Sequence, residues 1–155
     1  GTIFLDEIGS LALESQGKLL RVLQERELER LGGTQTLKVN VRLIAATNQD
    51  LSSAVEAGSF REDLFYRLNV FTVTLPPLRE HTEDIPLLVD HFSNDIANSQ
   101  GKPAKMFTSK AIDELKKLPW TGNIRELRNV VERLIILSGK EITDKDVKLF
   151  ARPLA

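Results

Sequence analysis

The sequence predicts an α/β unit followed by a helical one, and three observations carry that reading. Up to about residue 75, short apolar and β-branched runs alternate with segments of helical periodicity. Pro76-Pro77 then ends the last of those runs, because consecutive prolines cannot extend a hydrogen-bonded ladder. Beyond the prolines only helical periodicity is found, which gives an α/β part over 1–80 and an all-α part over 81–155.

Each element follows from its own pattern. Thr2 to Leu5 is a short apolar strand. Leu13, Gln16, Leu20 and Leu23, thickened by Leu19 and Val22, predict an amphipathic helix over about residues 13–25. Glu27 to Leu31 and Leu37 to Val41 flank Gly32-Gly33-Thr34, a hairpin signal because glycine tolerates positive φ. Val41 to Thr47 is a continuous run suited to a strand buried on both faces. A helix is predicted around Leu51 to Ala57, stopped by Gly58, and another over about Arg61 to Leu68, before a third β-rich run at Val70 to Leu75.

In the helical part, Ile85, Leu88, Val89, Phe92 and Ile96 share one face. Ala111, Ile112, Leu115 and Leu118 share another, after Ser109 as the N-cap. Ile124, Leu127, Val131 and Leu134 make a third, and Thr143-Asp144 opens a last short helix with acid in its first turn, where the helix dipole favours it.

Composition narrows the function classes. The 155 residues are 41% hydrophobic and 28% charged, as a globular chain requires. Lys plus Arg number 21 against 22 Asp plus Glu, so the whole chain lacks the basic footprint of a DNA-coating protein. With no cysteine, disulfides and thiolate chemistry are excluded. No apolar run is long enough to cross a bilayer, and no signal-peptide pattern is present. The missing initiator Met and the abrupt start in a strand pattern predict a piece of a longer enzyme.

The chemistry-bearing residues come in a fixed order. Ile3-Phe4-Leu5 ends in Asp6-Glu7, and a strand terminus is where both adjacent carboxylates can reach one ligand. Asp6 there would hold Mg²⁺ through water and Glu7 would polarise an attacking water. Ala46-Thr47-Asn48 again ends a buried run in groups that hydrogen-bond phosphate or water, and Asn48 also reads as an N-cap for the residues that follow. Phe60 to Leu68 sets Arg61 and Arg67 a little under two helical turns apart. Trp120-Thr121-Gly122-Asn123-Ile124-Arg125 puts an arginine in the first turn of a helix. Taken singly, such arginines are ordinarily solvated surface charges. Trp120 reads as core with its indole N–H satisfied, and His81 and His91 as surface groups.

As an ordered set these blocks closely resemble the AAA+ ATPases, and among them the sigma-54-dependent transcription activators (NtrC-like enhancer-binding proteins). Gly1 to Gly9 is similar to that family's Walker B segment, and Lys18 to Glu25, Phe60 to Leu68 and Leu75 to Glu80 match its wording almost throughout. The resemblance runs from Gly1 to about Leu137. It implies a partial P-loop NTPase parallel sheet without its first strands, followed by a helical lid. By the same resemblance Asp6 and Glu7 carry the Walker B roles, Thr47 with Asn48 is sensor I, and Arg61 and Arg67 are the arginine-finger candidates acting on a neighbouring subunit. Arg125 is then sensor II, and the hairpin tip at Gly32-Gly33-Thr34-Gln35 faces a central pore. The implied cofactors are ATP and Mg²⁺, and the implied partners are subunits of a homo-oligomeric ring and the sigma-54 RNA polymerase holoenzyme, in a bacterial cytoplasm without membrane association.

The family's Gly-x-x-x-x-Gly-Lys-Ser/Thr and Gly-Ala-Phe-Thr-Gly-Ala loops do not occur, and Thr121 stands where the family has proline. The stretch is therefore expected to be inactive by itself, with unpaired sheet edges, and to contact DNA only through a C-terminal domain it does not contain. Two other functions remain open on the sequence. One is a DNA-reading helix-turn-helix within residues 105–155, where Glu126 and Glu132 interleave with Arg125, Arg128 and Arg133. The other is an AAA+ remodeller of a different target.

Overall fold

A computed structural model describes residues 1–29 and 35–151, and they pack as two units, Gly1–Val73 and Thr74–Ala155. In the first unit β1 (Thr2–Leu5) lies parallel to β4 (Arg42–Ala45), with Leu5 opposite Ala45. Between them run α1 (Leu13–Glu25) and an antiparallel pair, β2 (Glu27–Glu29) and β3 (Thr36–Lys38). The tip expected at Gly32-Gly33-Thr34 lies outside the described residues. After β4 come α2 (Leu51–Glu56) and α3 (Glu62–Leu68). Ile8, Leu20, Phe60 and Leu64 form the buried centre, so the core collects on the helices rather than on the sheet.

Two sequence expectations fail here for one physical reason. β4 is not buried on both faces, since Ile44 is 43% exposed, and Phe4 on β1 is 61% exposed. Val70 to Leu75 forms no strand, and Phe71 is 84% exposed. A parallel strand becomes buried only when strands flank it and helices cover it. Among the described residues β1 and β4 have only each other.

The second unit is built on α4 (Ile85–Gln100), α5 (Ser109–Lys116), α6 (Asn123–Leu137) and α7 (Asp144–Phe150). It is not wholly helical: β5 (Met106–Phe107) and β6 (Glu141–Ile142) pair in parallel. Two-residue strands carry too little periodicity to be read from sequence. Ile85, Val89, Phe92 and Ile96 of α4 meet Leu127, Val131 and Leu134 of α6 in one core that also holds Leu115 and Trp120. Ile124, assigned by periodicity to the buried face of α6, is instead 44% exposed in the first turn of that helix. The N-cap of α5 is Thr108, not Ser109, its Oγ1 accepting the Ala111 N–H at 3.1 Å. Thr143 caps α7 in a capping box with Asp146.

Candidate functional site

The first unit brings the C-terminal ends of β1 and β4 side by side. The Ala46 N–H donates to Leu5 O at 2.8 Å, and the Ile8 N–H donates to Ala46 O at 3.0 Å. This stitching sets Asp6-Glu7 beside Ala46-Thr47-Asn48 on one rim, the position at which parallel sheets bind ligands. Asp6 and Glu7 leave the strand by a sharp turn. Asp6 Oδ1 accepts the Glu7 N–H at 2.9 Å, and Glu7 adopts a left-handed conformation with φ 54°. A side chain held in that region costs of order 1 kcal/mol, and such residues gather at functional sites. Both carboxylates are exposed.

The neighbouring loop is ordered by its own side chains. Thr47 Oγ1 accepts the Gln49 N–H at 3.1 Å. The N-cap of α2 is Asp50 rather than Asn48, its carboxylate accepting the Ser52 and Ser53 N–H groups. Those bonds, led by the one from the Ser53 hydroxyl, hold the Asp50 carboxyl below its ordinary range. Because Asp50 takes the capping role, the exposed Asn48 amide makes no hydrogen bond among the described residues. The short 3-10 turn Ile8–Ser10 lies against this loop, and Gly9 permits the approach: a Cβ there would stand 2.9 Å from Thr47 Oγ1.

Arg61 and Arg67 are carried by α3, away from that rim along the chain and seated on α1. Arg61 is the N-cap residue of α3 and forms a two-pronged pair with Asp63, Nε to Oδ1 at 3.0 Å and Nη2 to Oδ2 at 2.7 Å. That pairing pulls the Asp63 carboxyl down and pushes the Arg61 guanidinium up from their ordinary values. Arg67 donates from Nη2 to Leu23 O at 3.2 Å, at the carbonyl-rich end of α1.

Arg125 belongs to the second unit, where it is exposed in the first turn of α6. The turn before it is tightly specified. Trp120 and Asn123 both take positive φ, at 46° and 53°. The Gly122 N–H donates to Glu126 Oε2 at 2.8 Å, and a Cβ at Gly122 would stand 2.8 Å from Glu126 Cβ, so only glycine fits. Asn123 Oδ1 accepts the Leu78 N–H at 2.9 Å, and the buried Trp120 indole donates to Leu115 O at 2.9 Å.

Asp6 keeps one carboxylate oxygen free of the Glu7 N–H, and no cluster of three or more His, Cys, Asp or Glu forms among the described residues. One or two carboxylates supplemented by water and phosphate suit Mg²⁺, which seldom uses an all-protein cage. The residues fit the ion on those terms. Among the described residues no helix is long and apolar enough to cross a membrane.

Two residues of this region were not singled out for a site role by sequence reasoning. Gln16 reads as one position on the buried face of α1, and Gly9 only as the last residue of the Walker B-like segment. A glutamine on an apolar stripe is the one available signal for the former.

Known proteins share the sequence pattern and the fold of both units. The family described as "Sigma-54 interaction domain" matches residues 1–74, and that described as "AAA+ ATPase lid domain" matches residues 79–151. The DNA-binding transcriptional activator HyfR of Escherichia coli K12 is 57% identical over 138 residues, 89% of this chain and 21% of that protein. The DNA-binding transcriptional regulator NtrC of Azospirillum brasilense is 53% identical over 147 residues, 95% of this chain and 30% of that protein. Among solved structures, NtrX from Brucella abortus in complex with ADP superposes with a TM-score of 0.86 at 42% identity, covering 94% of this chain and 34% of that one. The chain thus spans about a fifth to a third of the relatives it matches. The lid match replaces the helix-turn-helix alternative for residues 105–155. On α6, Arg128 faces Asp95 at 3.4 Å rather than forming part of a uniformly basic face.

Proposed function

Because the chain belongs to the sigma-54 interaction family of AAA+ ATPase domains, we propose that it supplies the Walker B, sensor and arginine-bearing part of an ATP-hydrolysing ring subunit. In the intact protein that ring remodels sigma-54 RNA polymerase promoter complexes and so activates transcription in the bacterial cytoplasm. The observation that carries this reading is the shared rim of β1 and β4, with Asp6 and Glu7 beside Thr47 and Asn48. The ADP held by NtrX supports a nucleotide as the ligand. Residues 1–80 are the C-terminal portion of the α/β subdomain and residues 81–155 its lid.

The chain's own groups divide the work. Mg²⁺, when bound, neutralises charge on the phosphates. Asp6 would hold it through water, and the Glu7 carboxylate would orient the attacking water and accept its proton. The Asn48 amide and Thr47 hydroxyl aim that water and a phosphate oxygen. Arg61 and Arg67 serve the site of the neighbouring subunit, where an arginine supplied in trans contributes about 10³–10⁵ in rate. Arg125, in the first turn of α6, takes the sensor II position that the family resemblance implies. Without a Gly-x-x-x-x-Gly-Lys-Ser/Thr loop the 155 residues alone do not turn ATP over.

The test is Glu7→Gln in the intact protein. Nucleotide binding is retained while hydrolysis falls by about 10²-fold or more, the usual worth of a positioned base. ATP turnover at the parental rate by that variant refutes the assignment.

A further inference from the structure

Gln16 is completely buried, yet its side chain is polar at both atoms. Its Nε2 donates to Leu11 O at 2.7 Å and to Ser59 O at 3.0 Å, and its Oε1 accepts the Arg61 N–H at 2.8 Å. One carboxamide therefore joins the segment leading into α1 to the segment leading into α3, across 45 residues of sequence. A buried amide so fully engaged is held rigidly, because each bond lost leaves an unpaired group away from water. The next residue, Gly17, leaves the helix surface bare beside the Arg61 guanidinium: a Cβ there would lie 3.7 Å from Nη1. Two turns further along α1, Leu23 O receives Arg67 Nη2. Both arginines of α3 thus rest on one helix, and the start of α3 is set by Gln16.

We propose that Gln16, with the bare surface at Gly17, is a positioning residue for the arginines that α3 presents to the neighbouring subunit. Gln16 touches neither nucleotide nor the reacting atoms. It sets where the α3 N-terminus begins and the direction in which Arg61 leaves it. This deepens the ATPase reading and rests on it. A shift of α3 on α1 displaces Arg61 and Arg67 together, whereas it leaves the subunit's own Asp6, Glu7 and Asn48 in place on the β1–β4 rim. The defect is accordingly expected in the partner's site, and that separates positioning from a general loss of structure.

The experiment uses the intact protein and Gln16→Met, which keeps the length of the side chain and removes all three hydrogen bonds. Its kcat for ATP falls at least tenfold, while ATP affinity stays within about twofold, because the cis site is intact. Glu7→Gln subunits, with a dead site and sound arginines, are then mixed with Gln16→Met subunits, which have a sound site and displaced arginines. Turnover in the mixture rises above the sum of the two separate rates. Parental kcat for Gln16→Met overturns the proposal, and so does a mixture that gives no more than that sum. Where Gln16→Met does not fold, Gly17→Leu crowds the guanidinium without touching the carboxamide, and the same trans rescue decides. Failure of the ATPase reading looks different: the unmutated protein then shows no turnover that Glu7→Gln abolishes.

Discussion

Replacing Gly9 with alanine probes how closely the two halves of the rim are fitted. The added Cβ would stand 2.8 Å from Gln49 Oε1 and 2.9 Å from Thr47 Oγ1, against the 3.4 Å at which ordinary contact begins. Gln49 is exposed and swings away at the loss of its 3.4 Å contact with Ser10 Oγ. Thr47 has no such freedom, because its β-branched side chain is stiff and its Oγ1 already accepts the Gln49 N–H. Giving way costs that bond, about 1 kcal/mol, plus about 1 kcal/mol of off-rotamer strain. A total near 2 kcal/mol lies well inside the roughly 5–15 kcal/mol that holds a domain folded. The protein therefore folds with Thr47 and Asn48 displaced by about 0.5 Å; on the proposed ATPase reading, where a 1 Å error at a reacting centre costs about 10²-fold, kcat falls about tenfold. Steady-state ATP turnover and a thermal melt of the intact protein measure the two effects, with Gly139→Ala as the control because nothing lies within 4 Å of its added Cβ. Unchanged turnover by Gly9→Ala, with the melt also unchanged, refutes the close fit of turn against loop.

Two further outcomes concern the second unit. Leu127→Ala removes a fully buried side chain from the α4–α6 core and destabilises by about 2–5 kcal/mol, whereas Ile124→Ala, three residues earlier, changes stability by no more than about 0.5 kcal/mol; denaturant midpoints distinguish them. The Thr143 N–H and hydroxyl hold the Asp146 carboxyl below its ordinary value. A depressed folded-state value gives stability that is present above the unfolded value and lost as pH falls through the folded one, so Asp146→Asn flattens the acid limb of a pH-dependent melting curve.

The helices were largely legible in the sequence, because periodicity and punctuation are local. α1 occupies Leu13–Glu25, the span its apolar spacing indicates, and the buried stripes of α4 and α6 follow theirs except at Ile124. The strands were less legible. A run such as Val70 to Leu75 has strand chemistry but becomes a strand only when a partner offers its edge, and none does among the described residues. Asn48 was assigned the cap because it precedes a helix. Asp50 takes that place through the better-placed carboxylate, a competition between neighbours that composition cannot rank.

What the sequence by itself determined is the order of the parts: Asp6-Glu7, Thr47-Asn48, Arg61 and Arg67, and Arg125, each at the end or start of an element whose type its own residues dictate. Tertiary structure alone decided which of them meet. The register of β1 on β4 makes one rim of two strand ends some 40 residues apart, Gly9 lets the turn close upon Thr47, and Gln16 ties α1 to the N-cap residue of α3. Pairing across such distances depends on backbone groups that every residue carries and on space that no residue announces. A sequence records the side chains brought to a contact, and only the folded chain shows which groups are left to receive them.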